Sequence, residues 1–447
     1  MRVRFWGTRG SIAKPGPTTL RYGGNTSCVE VETDGGNLIV IDCGTGAHGL
    51  GQQLLANGRK QGHLLISHSH WDHIQGFPFF APVFIPGNEW DIYAPGAAGG
   101  LEGILRGQME YTYFPVALDQ LAAKTRYHDL TEGRFTLGDV QVNSRYPNHP
   151  AVTLGYRLEI GGVSVVYSSD HEPHSRHQAE PVDPPQAGRQ PALVHVEDER
   201  HAHFLQGADL VIHDSQYTAA EYGKKLGWGH STVEYVVDVA IAAGVKQLAL
   251  YHHDPLRSDA AVDELLAACR ERARAWGSSI EIFAAAEGVS LTFPELATAR
   301  KRQRKDGVEG LGMPRLRPAT VLVVDDDPDV IELVESSLKD EGYRLISADN
   351  GRTGLELART ETPDLMLLNW EMPEMDGLAA CRAIRADPNP AVRRMPIVML
   401  TARAESEDTR EGFGAGADDY ITKPITPAHV RTHVREWLIR GRATPVK

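Results

Sequence analysis

The sequence predicts a mixed α/β protein in two domains, and three observations carry that prediction. Short apolar runs that end in polar residues recur through the first 293 residues: "LIVIDCGTG", "HLLISHSH", "VSVVYSSD", "ADLVIHDS" and "KQLALYHHD". Helical patterns fall between them, as in residues 231–244 ("STVEYVVDVAIAAG"), where Ser231 and Thr232 can cap the first turn. Residues 294–318 then hold Pro, Gly and basic residues with no apolar period, which reads as a linker, and a second series of strand-like runs starts at 319.

A chain of 447 residues is comfortable for two domains. Its 41% apolar and 23% charged content is that of a globular protein. No apolar run reaches the ~18 residues of a membrane span, and the start "MRVRFWGTRGS" has no signal-peptide core, so no membrane partner is expected. Cys28, Cys43, Cys269 and Cys381 are scattered without a CxxC pair, which argues against a disulfide framework or zinc ribbon and fits a reducing cytoplasm. The net charge of −13 makes a nucleic-acid partner unfavourable. Five of the six residues Arg300–Lys305 are basic; a solvated linker is the plain reading, and a contact with an acidic partner the sharper one.

Seventeen of the 19 histidines lie before residue 294, leaving only His429 and His433 after it. The densest group is "LLISHSHWDHIQG" (residues 64–76). Imidazoles so crowded are a poor packing solution, because each buried ring needs a polar partner. His68 and His70, two apart on an extended segment, point the same way, and Asp72 and His73 follow after a turn. Neutral imidazoles and carboxylates are good zinc ligands. Further ligands must come from other strand ends, and His149 in "YPNHP", Asp170 in "VVYSSDHE" and His252 in "LALYHHDP" are candidates.

"HSHWDH" is similar to the HxHxDH signature of the metallo-β-lactamase fold, and the later elements resemble its phosphodiesterase branch, which includes ribonuclease Z and the phosphoribosyl cyclic phosphodiesterases. Over residues 1–293 the resemblance implies an αββα sandwich holding two metals. It implies that one metal takes His68, His70 and His149, and the other Asp72, His73 and His252, with His252 preferred to His253. Asp170 would bridge them, and Asp42 in "IDCGTG" would support the ligands from behind. "GWGHST" resembles the family's GHST element, which places His230 near the leaving group, and Asp214 in "HDSQY" falls where an acid orients that histidine. The two metals, zinc by preference with manganese or iron as alternatives, would activate a water near neutral pH, with Asp72 counted among the catalytic groups as well as the ligands.

Other residues invite blander readings. His171, His174, His177, His195, His201 and His203 lie in a polar, Pro-rich segment, 171–206, expected to be an exposed insertion rather than a third metal site. His48, His63 and His128 read as surface or structural histidines, and His213 as packing near the site without ligating. Phe79, Phe80, Tyr113 and Phe114 follow the metal loop; core packing is the plain reading and stacking on a ring of the substrate the sharper one. Ribonuclease Z carries a long protruding arm for transfer RNA, and no Gly-rich basic insertion of that kind is present, which counts against that substrate.

In the second domain, "TVLVVDDD", "PDLMLLNW", "MPIVMLTARAE" and "DDYITKPI" are strands with polar C-ends and helical patterns between them, which makes a doubly wound (βα)5 sheet. Residues 319–441 hold fourteen Lys/Arg against twenty-three Asp/Glu, a net −9. They resemble the receiver domain of bacterial response regulators. Asp325 and Asp326 match its metal-binding acids, Thr401 its switch hydroxyl, Tyr420 its switch aromatic and Lys423 its phosphate-contacting lysine. The phosphoacceptor aspartate is replaced by Asn369. A neutral amide is no useful nucleophile toward phosphorus, and the lost charge weakens Mg²⁺ binding.

The sequence thus leads to a cytoplasmic dinuclear metal hydrolase acting on a small phosphodiester, such as a cyclic nucleotide, coupled to a pseudo-receiver that meets a signalling protein or another copy of itself. Two alternatives stand beside it. One is a lactonase or ester hydrolase on the same metals. The other is a signalling adaptor that acts through the receiver surface and keeps a vestigial metal site.

Overall fold

In a computed structural model of the chain, the structure describes residues 1–96, 100–174, 195–295, 319–401 and 414–427, together with residues 189, 191, 193, 430, 431, 433, 434, 437 and 438. Residues 296–318 of the linker, with its basic run, and His177 and His429 lie outside the described residues. The chain divides into two compact units, Met1–Gly310 and Leu311–Lys447.

In the first unit, two seven-stranded sheets carry the fold. One runs in the order Ser290–Thr292, Arg2–Gly7, Cys28–Glu32, Leu38–Ile41, Gln61–Leu65, Glu89–Pro95, Lys124–Leu130. The other runs Glu281–Ala284, Gln247–Tyr251, Leu210–Asp214, Val163–Ser168, Gly155–Ile160, Val140–Arg145, Gly133–Leu137. Each sheet is parallel at one end and antiparallel at the other.

Side-chain alternation explains the layering. In Leu38–Ile41 every residue is buried: Ile39 and Ile41 face the core between the sheets, while Leu38 and Val40 face the helix Gly46–Ala56. Val163–Ser168 does the same, with Val165 and Tyr167 turned inward and Val166 turned toward Val196–Leu205 and Val233–Ala242. Helices therefore cover both outer faces, giving the αββα sandwich. Thr232 caps Val233–Ala242 through its side chain, which accepts from Tyr235 N–H, and Ser258 caps Asp259–Ala275 likewise.

The second unit is a five-stranded parallel sheet in the order Arg344–Ala348, Thr320–Val324, Leu365–Asn369, Ile397–Thr401, Asp419–Thr422. Val321 and Val323 pack on one face with the helix Pro328–Leu338, and Leu322 and Val324 on the other with Gly351–Glu361 and Gly377–Arg385. The four cysteines are buried free thiols. Among the described residues no helix is long and apolar enough to cross a membrane.

Candidate functional site

The metal motif sits where the strand Gln61–Leu65 runs out. His68 lies three residues beyond the strand, and His70, in extended conformation, directly precedes the short helix Trp71–Ile74, which carries Asp72 and His73. Residues from other strand ends meet it there. Asp42 directly follows Leu38–Ile41, Asp170 lies two beyond Val163–Ser168, Asp214 ends its strand, and His252 directly follows Gln247–Tyr251.

Among the described residues, three groups place ligand atoms within 4.8 Å of one another: His68, His70, His149 and Asp170; Asp72, His73 and His252; and Asp170, His230 and His252. Asp170 belongs to two of them and divides its oxygens. Its Oδ2 lies 3.6 Å from His68 Nε2 and 3.9 Å from His149 Nε2, and its Oδ1 lies 3.2 Å from His73 Nε2 and 3.3 Å from His252 Nε2. His253 turns away and donates from Nε2 to the Ala285 carbonyl.

The groups behind the ligands fix which nitrogen faces inward. Asp42, fully buried, accepts from Ser67 N–H at 2.6 Å on Oδ1, and from Ser67 Oγ at 2.9 Å, Tyr167 OH at 2.5 Å and His73 Nδ1 at 2.7 Å on Oδ2. His149 Nδ1 donates to the Gly229 carbonyl at 2.9 Å. The Nε2 atoms of His68 and His73 are buried and, among the described residues, meet carboxylate oxygens only at ion-pair distance, with no hydrogen bond. Orphaned imidazole nitrogens converging with carboxylates are a donor set that fits divalent metal ions. Burial holds His68 and His149 well below the ordinary imidazole range, which keeps them neutral and able to ligate. Burial opposes charge on Asp72 and Asp170 as well, yet the histidines beside them hold both well below the usual carboxylate range.

His230 stands at the edge of this cluster, its ring 5.7 Å from that of His149 and 5.1 Å from that of His252. Its Nδ1 lies 2.9 Å from Asp214 Oδ2. Burial works against a charge on His230, but Asp214, with Asp170 and Asp72, lifts its pKa to about 9.

Several residues at the site gave no signal in the sequence. Tyr167 reaches Asp42 from the opposite sheet. Ser11 donates its backbone N–H to Asp72 Oδ2 at 2.7 Å. Glu172 is buried, and its carboxylate accepts from Tyr222 OH at 2.7 Å, Gly227 N–H at 2.7 Å and Gly229 N–H at 3.1 Å, tying the loop that carries His230 to the segment after Asp170. Glu172 stands two residues beyond Asp170 at the start of the polar segment 171–206, where exposure is the expectation.

That reading needs correction for His171 and His201, which are buried. Their rings stack at 3.9 Å, His171 accepts from Asn148 N–H on Nδ1 and meets Tyr235 OH on Nε2, and His201 Nε2 meets His213 Nε2 at 2.9 Å. Pairing of their polar atoms lets these rings enter the interior, and burial keeps them neutral. His195 and His203 are exposed. Of the aromatics, Phe80 is core, packed edge-on against Trp90 at 4.9 Å, whereas Phe79 and Tyr113 are exposed.

In the second unit, the predicted pocket residues gather at the C-terminal edge of the sheet. Asp325 follows Thr320–Val324, Asn369 and Thr401 end their strands, Tyr420 lies within Asp419–Thr422 and Lys423 follows it. Lys423 Nζ donates to Asp325 Oδ2 at 2.9 Å. Burial raises the pKa of Asp325, and Lys423 only partly offsets this. Asn369 Nδ2 donates to Asp325 Oδ1 at 3.1 Å and Asp326 Oδ1 at 2.9 Å.

Comparison with known proteins agrees with this division. Residues 37–253 match the family model of the beta-lactamase superfamily domain, and residues 321–435 that of the response regulator receiver domain. The chain therefore joins a domain of the beta-lactamase superfamily to a response-regulator receiver domain. The alkaline phosphatase synthesis transcriptional regulatory protein PhoP of Bacillus subtilis is 39% identical over 121 residues, 27% of this chain and 49% of its own. The chain spans about half the length of the curated relatives it matches. Among solved structures, the metallo-beta-lactamase fold protein YhfI of Bacillus subtilis is 18% identical, with a TM-score of 0.46, covering 65% of this chain and 99% of that one. A diphosphatase of the PhnP family is also 18% identical, with a TM-score of 0.44, covering 66% and 98%.

Proposed function

We propose that the first unit is a dinuclear metal-dependent hydrolase acting on a phosphodiester, and that the second is a receiver that does not take up phosphate on an aspartate. The observation that carries the first reading is Asp170, whose two oxygens face two separate groups of imidazoles. A carboxylate so divided suits a bridge between two cations. On this reading His68, His70 and His149 hold one ion, Asp72, His73 and His252 the other, and zinc suits the imidazole-rich set, with manganese or iron as alternatives. Bound there, two divalent ions would supply a hydroxide nucleophile near neutral pH and would offset charge on the substrate.

The chain's own residues orient and protonate. Asp42 holds the proton on His73 Nδ1, which keeps Nε2 as a ligand atom. Asp214 occupies His230 Nδ1, so Nε2 is the nitrogen left for the substrate. Asp214 beside Nδ1 favours the protonated ring, so His230 suits donation of a proton to a phosphoryl oxygen or to a departing alkoxide. A phosphodiester suits this arrangement: its two non-bridging oxygens share one negative charge that cations held here would offset, and it has a leaving oxygen for His230.

The test is hydrolysis by metal-quantified protein of a diester panel that includes bis-p-nitrophenyl phosphate and cyclic nucleotides, with Asp72→Ala and His230→Ala alongside. Turnover of a diester is expected, with metal and rate lost in Asp72→Ala, and rate lost but metal kept in His230→Ala. A metal-loaded wild type that cleaves lactones or acyl esters, ignores every diester and is indifferent to His230→Ala overturns the reading.

A further inference from the structure

Asn369 does more than lack a nucleophilic oxygen. Its Nδ2 lies 3.1 Å from Asp325 Oδ1, 2.9 Å from Asp326 Oδ1 and 2.8 Å from the Glu371 carbonyl. Two carboxylate oxygens and a carbonyl oxygen converging on one point are what a hard divalent cation seeks. Here that point is held by an amide nitrogen. The orientation of the amide follows from its neighbours, because turning it over would set its own oxygen against three acceptors with no hydrogen between them. On the far side of Asp325, Lys423 Nζ neutralises Oδ2. The acid pair is therefore supplied with donors from within the chain. Mg²⁺, which demands close oxygen ligands in near-octahedral array, can enter only if the amide rotates and gives up its contacts.

We propose that the Asn369 amide takes the place of the divalent cation in the receiver pocket, so that this receiver holds one state without Mg²⁺ as well as without phosphate. This deepens the reading of the domain as unphosphorylated, and it can fail separately from that reading.

The test is peptide-resolved hydrogen exchange of the full chain across a Mg²⁺ titration, which reads the receiver apart from any ion bound in the hydrolase unit. In the wild type, peptides across Thr320–Val324 and Leu365–Asn369 are expected to exchange at the same rate at every Mg²⁺ concentration. In Asn369→Asp the same peptides are expected to gain protection at Mg²⁺ concentrations at least about tenfold below any wild-type response, a modest figure for one charge added beside a divalent ion. Asn369→Ala removes the amide without adding charge and is expected to respond too; it carries the comparison if the Asp variant does not fold. Mg²⁺-dependent protection of the wild type equal to that of the variants overturns the proposal, and so does indifference of all three proteins. Intact mass after incubation with phosphoramidate separates the two readings. A wild type that binds Mg²⁺ yet gains no phosphoryl mass refutes the cation replacement alone, whereas a wild type that gains it on this pocket refutes both.

Discussion

Replacing Asp42 by Asn alters one atom in a residue that touches no substrate, yet the structure forecasts a large and selective effect. Four donors converge on the Asp42 carboxylate: Ser67 N–H on Oδ1, and Ser67 Oγ, Tyr167 OH and His73 Nδ1 on Oδ2. An amide offers a single oxygen. If that oxygen stays with His73, the NH₂ faces the Ser67 N–H from 2.6 Å, donor against donor. If it stays with Ser67, His73 Nδ1 meets an NH₂. The ring then moves its proton to Nε2 and loses the lone pair that faces the metal cluster. Either outcome weakens the ion assigned to Asp72, His73 and His252.

Loss of such a supporting partner typically costs 10–100-fold in metal affinity, or about 1.4–2.8 kcal/mol. A buried donor left unpaired costs about 1–3 kcal/mol of folding stability on its own. His68, which contacts Ser67 Oγ rather than Asp42, is expected to keep its ion longer. The assay is competition with a graded series of chelators, with zinc counted per chain. Wild type should hold two ions, and the Asp42→Asn variant should release one of them about 10–100-fold more readily while holding the second near wild-type strength. Two ions released at the wild-type free-zinc concentration would refute the reasoning, and so would two ions weakened alike.

Two further outcomes follow from the loop that carries His230. Gly229→Ala is expected to lose one equivalent of metal by elemental analysis, because a Cβ there would lie 2.1 Å from His149 Nδ1 on backbone at φ +83°. Glu172→Gln opposes an NH₂ to one of three loop donors, and the roughly 1–3 kcal/mol at stake should lower kcat about tenfold or more, with two metals retained; an unchanged kcat would show that the loop holds itself.

How far the sequence reaches depends on how local the interaction is. His68, His70, Asp72 and His73 lie within six residues, so a strand followed by one turn brings them together, and their types alone announce a metal. The receiver pocket was legible for the same reason, since the C-terminal ends of parallel strands share one edge and Asn369 stands out among them. Tyr167 was not legible. It meets Asp42 across 125 residues and from the opposite sheet, and in "VSVVYSSD" it looks like any core aromatic. The stack of His171 on His201 shows that a polar sequence is not always an exposed one. Imidazoles whose nitrogens find partners in Asn148, Tyr235 and His213 enter the interior at little cost, and the partners come from three separate elements.

The aim of the site residues is set by backbone that no pattern reveals. Asp42, Asp170 and His252 all adopt left-handed conformation, with φ of 60°, 55° and 59°. A non-glycine residue there costs of the order of 1–3 kcal/mol, tolerated only where surroundings over-determine it. Each surrounding is visible. Asp42 is held by its four donors. Asp170 is drawn toward imidazoles on both sides. His252 lies against Gly10, where any Cβ would come within 2.4 Å of the ring, so a glycine 242 residues away makes room for it. Three strand ends from two sheets thus turn toward one point against their local preference, and the contacts that hold them there come from residues far off in the chain. The sequence can show which side chains stand at the strand ends, while their convergence exists only after the sandwich has closed.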